Sequence, residues 1–158
     1  MHIHIVAVGR IRERYIGDGI EDFILRLRPY VHVTVTEVAE ERTKESKNPA
    51  IGNICQKEGE RIENELEQGA YVWALDPAGK LYTSNLFAER IEKFEIDGPH
   101  SVFFIIGGSY GLSPGIKKRA DELLSLSPMT FPHQLARFLL LEQLYRAFRI
   151  IRGEPYHK

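Results

Sequence analysis

Short β-rich apolar runs alternate with stretches of helical periodicity along the whole chain, and this alternation restricts its architecture more than any other feature. His2 to Val8 is such a run, closed by Gly9. Ile16, Ile20, Phe23, Ile24 and Leu27 then recur at helical spacing until Pro29 stops the pattern. Val31 to Val35 alternates as a strand with one wetter face does, and Glu40 to Asn48 reads as a charged, mobile loop. Ile51, Ile54, Ile62 and Leu66 mark an amphipathic helix closed by Gly69. Tyr71 to Leu75 reads as a short buried strand ending in the turn Asp76-Pro77-Ala78-Gly79. Ser84 is placed to cap a helix whose apolar face carries Phe87, Ile91 and Phe94. Val102 to Ile106 is the most continuous apolar strand and runs straight into Gly107-Gly108-Ser109-Tyr110-Gly111. Ser113-Pro114 opens a helix, Leu124 to Ser127 a last short strand, and Pro132 to Arg152 the final helix. Strands alternating with helices predict an α/β domain around a mainly parallel sheet. No repeat or Pro/Gly-rich linker divides the chain, so residues 1–158 read as one domain.

In parallel sheets, ligands sit beyond the carboxyl ends of the strands. The loops after Leu75, Ile106 and Leu126 are therefore the expected ligand loops. Gly107 and Gly108 can take positive φ and let a ligand approach the backbone. The pattern is neither the G-x-G-x-x-G fingerprint nor a P-loop, and Ala7-Val8-Gly9-Arg10 offers no dinucleotide motif. A tight strand-to-helix turn accounts for these glycines equally well. An apolar fraction of 43% and a charged fraction of 27% suit a globular domain, and no run approaches a membrane span. The start Met1-His2-Ile3-His4 lacks signal-peptide character. A lone cysteine, Cys55, leaves no internal disulfide or Cys-rich zinc site. A reducing cytoplasm is the expected location.

The final helix is unusual. Its apolar residues, from Leu135 to Ile151, cover nearly the whole circumference, whereas a surface helix carries one stripe. A central core helix is one account, but few elements remain to cover it, so a homodimer interface is expected. Net charge is −1, yet Pro132 to Lys158 holds five cations against two acids. Arg146, Arg149 and Arg152 fall three apart, as a solvated face or as an edge that meets phosphates.

The blocks Leu75-Asp76-Pro77-Ala78-Gly79-Lys80, Ile106-Gly107-Gly108-Ser109-Tyr110-Gly111-Leu112, Met129-Thr130-Phe131-Pro132-His133-Gln134-Leu135-Ala136-Arg137 and Glu142-Gln143-Leu144-Tyr145-Arg146-Ala147 closely resemble the ribosomal RNA large subunit methyltransferase H family. The ending Gly153-Glu154-Pro155-Tyr156-His157-Lys158 does so too, and the match runs from Val6-Ala7-Val8-Gly9 to the last residue in the family's order and spacing. The resemblance implies a SPOUT-type α/β domain, its mainly parallel sheet flanked by helices, with a C-terminal trefoil knot that general topology rules do not foresee. It also implies a homodimer that uses S-adenosylmethionine to methylate N3 of a pseudouridine in large-subunit (23S) ribosomal RNA.

Carried onto this chain, the cofactor site comprises Leu75, Gly107, Leu126, Ser127, Pro128, Met129, Thr130 and Phe131. A pseudouridine N3 bears a proton, so a base or an anion-stabilising partner is needed. His133, Arg137, Tyr156 and His157 are the candidates: either histidine as proton acceptor, Arg137 as anion stabiliser or phosphate contact. Read blandly, His133 is a helix-start donor, Arg137 an ion pair and Tyr156-His157 a frayed end. His2 and His4 share one strand face but lack a third ligand at suitable spacing, so no metal is expected. Cys55 reads as packing. The rivals are a non-catalytic ribosome-associated factor of the same fold and a transfer-RNA methyltransferase, which would carry an added RNA-binding domain.

Overall fold

The computed structural model describes residues 1–42 and 50–155. Most of the loop expected over Glu40 to Asn48, and the candidates Tyr156 and His157, lie outside the described residues. The elements run β1 (His2–Val8), α1 (Arg14–Leu27), β2 (His32–Val38), α2 (Ile51–Glu63), β3 (Tyr71–Leu81), α3 (Ser84–Asp97), β4 (Ser101–Ile106), α4 (Pro114–Arg119), β5 (Glu122–Ser125) and α5 (His133–Ile151). The five strands form one parallel sheet in the order β2-β1-β4-β3-β5.

Alternation along the central strands builds two cores. Ile3, Ile5 and Ala7 of β1 and Phe104 and Ile106 of β4 join α1, α3 and α5 on one face. Val6, Val8, Phe103 and Ile105 join Ile62 of α2 and Ile116 of α4 on the other. Because β1 and β4 are covered on both faces, they read in sequence as continuous apolar runs. His2 and His4 belong to the less apolar end of this sheet. His4 stacks on Phe103 with ring centres 4.4 Å apart, and the His2 ring nitrogen meets that of His32 at 2.7 Å. Among the described residues no group of three His, Cys, Asp or Glu can hold a metal ion.

Several sequence expectations are corrected. Thr83, not Ser84, caps α3, its Oγ1 accepting from the Leu86 N–H at 3.2 Å. Ser84 opens the helix itself and donates to Gln143 at 2.9 Å. The turn Asp76-Pro77-Ala78-Gly79 does not end the third strand. It is an irregularity within β3, which pairs with β5 at Leu75, shifts register, and pairs with it again from Lys80. Asp76 stabilises the excursion by accepting the Ala78 N–H at 2.9 Å. A Cβ on Gly79 would lie 2.6 Å from the Leu123 carbonyl carbon, so this return needs glycine.

The final helix also differs from expectation in what covers it. Helix α5 packs against α1, α3, β1 and β4, and no residue from His133 to Ile151 is exposed. Phe148, at 0% exposure, is plain core. The chain therefore supplies more cover than its length suggested, because α1 and α3 flank α5 on the same face. Leu135 and Leu139 stay half-buried. The basic edge is largely neutralised within the chain: Arg146 pairs with Glu142, Arg149 with Glu154 and Arg152 with Glu95.

Candidate active site

The carboxyl ends of β3, β4 and β5 and the start of α5 enclose a cleft of about 530 Å³. Leu75, Ile106, Leu124 and Leu126 make its apolar wall, while Met129 and Phe131 lie exposed along its lining. Seven of the eight expected cofactor residues line it: Leu75, Gly107, Leu126, Ser127, Met129, Thr130 and Phe131. Pro128 is not among its lining residues. Its segment is braced internally, with Ser125 Oγ donating to the Ser127 carbonyl and the Met129 N–H donating to Ser127 Oγ, both at 3.0 Å.

The glycine loop works differently from the sequence expectation. Positive φ falls on Gly111 (82°), not on Gly107 or Gly108. The loop folds back so that the Gly111 N–H donates to the Gly108 carbonyl at 3.1 Å. A Cβ on Gly107 would stand 2.8 Å from the Gly111 carbonyl carbon, so glycine is required by the loop's own closure. Two buried side chains of α2 support it. Cys55 donates from Sγ toward the Tyr110 carbonyl at 3.5 Å, and burial pushes its thiol pKa up. Glu58, 2% exposed, accepts the Glu41 N–H at 2.9 Å and lies against Gly108, with burial raising its carboxyl pKa. Replacing Gly107 with valine is thus expected to rearrange the loop and abolish measurable S-adenosylmethionine binding in calorimetry, while the buried sheet keeps its far-UV signature. Unchanged affinity in a folded Gly107→Val chain would remove this loop from the cofactor site.

His133 lies at the first position of α5, half-buried in the cleft wall. Burial holds its imidazole below the usual value, with Arg137 and Arg12 acting in the same sense and Glu40 against it. Its ring covers Gly9, where an added Cβ would come 3.3 Å from Nε2. Arg137, one helical turn on, is 1% exposed and does not line the cleft. It donates to Glu37 at 2.5 Å and to the Gly9 carbonyl at 3.0 Å. The expected contact of Arg137 with a substrate anion is therefore not available in this arrangement. Its guanidinium is committed to tying α5 to the ends of β1 and β2, which fixes the bearing of His133.

Residues that sequence reasoning overlooked complete the site. Asp76 lines the cleft and pairs with Lys117 at 2.6 Å. Burial opposes its charge, but Lys117 and the Ala78 N–H hold its carboxyl below the usual range. Ser109 also lines the cleft and donates to Glu40 at 3.1 Å. Both lie in blocks with a visible turn pattern; only the partner Glu40 had no local signal.

The family described as "Predicted SPOUT methyltransferase" matches residues 1–157. The chain is 50% identical to ribosomal RNA large subunit methyltransferase H of Carboxydothermus hydrogenoformans and 46% identical to that of Bacillus pumilus, in each case over all of both chains. The chain belongs to the ribosomal RNA large subunit methyltransferase H family. Among solved structures it resembles, with a TM-score of 0.58 and 11% identity, a protein of Bordetella pertussis described as a probable methyltransferase, covering 93% of this chain and 96% of that one. At that identity the likeness concerns the fold, and it agrees with the parallel sheet and flanking helices that this methyltransferase family brings to the cleft.

Proposed function

We propose that the chain transfers a methyl group from S-adenosylmethionine to N3 of a pseudouridine in large-subunit ribosomal RNA. The observation that carries this reading is the full-length 50% identity to a ribosomal RNA large subunit methyltransferase, combined with a cleft lined by seven of the eight residues expected to hold the cofactor. The cleft suits that molecule: Leu75, Ile106, Leu124 and Leu126 offer apolar walls to an adenine and a thioether, and the backbone of Gly107, Leu126 and Thr130 offers polar edges. When bound, the cofactor supplies a methyl group on a sulfonium. The protein's task is to align the acceptor nitrogen with it and to remove a proton.

His133 or His157 accepts that proton. His133 suits the task because burial lowers its pKa from the usual 6.5 and so favours the neutral ring that can accept a proton. A lowered pKa means that protonation, and loss of the base, comes only as pH falls below the ordinary value of 6.5. With His133 as base, kcat/KM for methylation is expected to fall on the acid side of 6.5, and His133→Gln to flatten that limb. An unchanged limb in the variant assigns the proton to His157. The direct test of the whole reading is methylation of ribosomes lacking the modification, followed by mass mapping of the nucleotide. A chain that binds S-adenosylmethionine poorly and leaves the ribosome unmodified would favour the non-catalytic factor.

The proposed working form is a cytoplasmic homodimer, and the proposed C-terminal path is a trefoil knot, as the resemblance implies. Met129 and Phe131 are exposed just before α5, and Leu135 and Leu139 are half-buried in its first turns. These residues supply an apolar surface for a second copy. Sedimentation at micromolar concentration is expected to give one species near twice the 18.2 kDa chain mass. Leu139→Glu should return it to a folded monomer. A monomeric unsubstituted chain would end the dimer proposal. Among the described residues, no helix is long and apolar enough to cross a membrane.

A further inference from the structure

A second cleft, of about 640 Å³, opens at the carboxyl ends of β1 and β2, beside the first. Its lining includes Arg10, Arg12 and Arg42, all exposed, together with Glu37 and Glu40. Glu37 turns toward Arg137 and also accepts the Ile11 N–H at 3.3 Å, so its charge is answered from within the fold. Arg12 lies 3.6 Å from Glu40 with its side chain 75% exposed, a contact that solvent weakens and an incoming anion can replace. Among the charges lining the groove, three exposed arginines thus stand against Glu40, whose one ion-pair partner among the described residues, Arg12, is itself exposed.

Two contacts join this groove to the methyl-donor cleft. The His133 ring lies over Gly9, which lines the groove. Ser109 of the first cleft donates to Glu40 of the second. A strand lying in the groove therefore has its neighbouring nucleotide beside His133. The groove floor is held by main-chain bonds: the Arg12 N–H donates to Gln134 Oε1 at 3.0 Å, and the Ile11 N–H to Glu37. The arginine side chains can be exchanged without removing those bonds. By contrast, Arg149 and Arg152 on α5 are paired with Glu154 and Glu95.

We propose that this groove receives the sugar–phosphate backbone of the substrate RNA next to the target nucleotide, with Arg10, Arg12 and Arg42 contacting phosphates. The inference rests on reading the chain as a ribosomal RNA methyltransferase. Phosphate contacts of this kind fix register and orientation, while the target base enters the adjoining cleft. They also make binding depend on salt, because each neutralised phosphate releases counterions.

The test compares the unsubstituted chain with the Arg10→Ala/Arg12→Ala variant, measuring binding to ribosomes lacking the modification and to protein-free large-subunit RNA across a salt series. S-adenosylmethionine affinity and the unfolding midpoint should stay unchanged. Affinity for both probes should fall by on the order of tenfold or more, and the slope of log K against log salt should shrink by between about one and two. Arg12→Lys should restore part of the loss. Equal binding of protein-free RNA by a folded variant overturns the proposal, including the case where only whole ribosomes are lost, which would assign the groove to a ribosomal protein. If the unsubstituted chain itself neither binds S-adenosylmethionine nor methylates ribosomes, the underlying methyltransferase reading fails instead.

Discussion

Deleting Tyr156 to Lys158 should lower methylation of ribosomes by on the order of a hundredfold, the scale of a lost proton acceptor, while S-adenosylmethionine binding stays near normal. The structural ground lies just before the deletion. Gly153 takes φ +65°, its N–H donates to the Ile150 carbonyl at 3.0 Å, and the Glu154 N–H donates to the Arg149 carbonyl at 2.8 Å. This paired closure stops α5 and turns the chain away from its axis. The Glu154 carboxylate is then held by Arg149 at 2.7 Å and by the Tyr30 hydroxyl at 2.6 Å. Glu154 is thereby fixed just before the deleted residues. Tyr156 and His157 then offer an aromatic able to stack on a base beside an imidazole able to exchange a proton. Mixing the truncated chain with a Gly107→Val chain separates two arrangements: activity should return only if a tail serves the cleft of the other subunit. Full activity in the truncated homodimer would dismiss the tail and leave His133 as the base.

Replacing Glu37 with alanine should destabilise the fold by about 3 kcal/mol, the lower end of what breaking a buried ion pair costs. The lower end applies because the Glu37 side chain is 34% exposed, whereas that of Arg137 is 1% exposed and would be left beside the Gly9 carbonyl without a counter-charge. Urea unfolding should show the midpoint falling at constant slope. Adding Arg137→Met should recover most of the loss, since it removes the stranded charge. A change below about 1 kcal/mol in the single variant would mean that water solvates the guanidinium, and that the pair does not hold α5 in place.

The sheet was legible because its central strands are buried on both faces and so stand out as apolar runs, as Val102 to Ile106 does. The cleft was legible for a related reason: in a parallel sheet the loops after Leu75, Ile106 and Leu126 must gather at one edge. What escaped were relations between distant residues. Nothing local signals that Arg137 will meet Glu37 a hundred positions away, or that Ser109 will meet Glu40. The turn at Asp76 to Gly79 misled because its residues favour chain reversal, while pairing with β5 on either side absorbs it. Likewise, the all-round apolar character of α5 reported its burial without saying that α1 and α3 supply the cover.

Helix α5 also acts as a ruler. His133 is its first residue and the turn at Gly153 lies just past its last, and 19 residues at 1.5 Å each set these ends about 28 Å apart. The five residues from Glu154 to Lys158 extend at most about 18 Å at 3.6 Å each. A tail starting at one end of this rod falls short of the histidine at the other by roughly 10 Å even when fully stretched along it. Were both groups to serve one nucleotide, two rods laid so that the end of one meets the beginning of the other would bring them together, and each catalytic event would then draw on two copies of the chain.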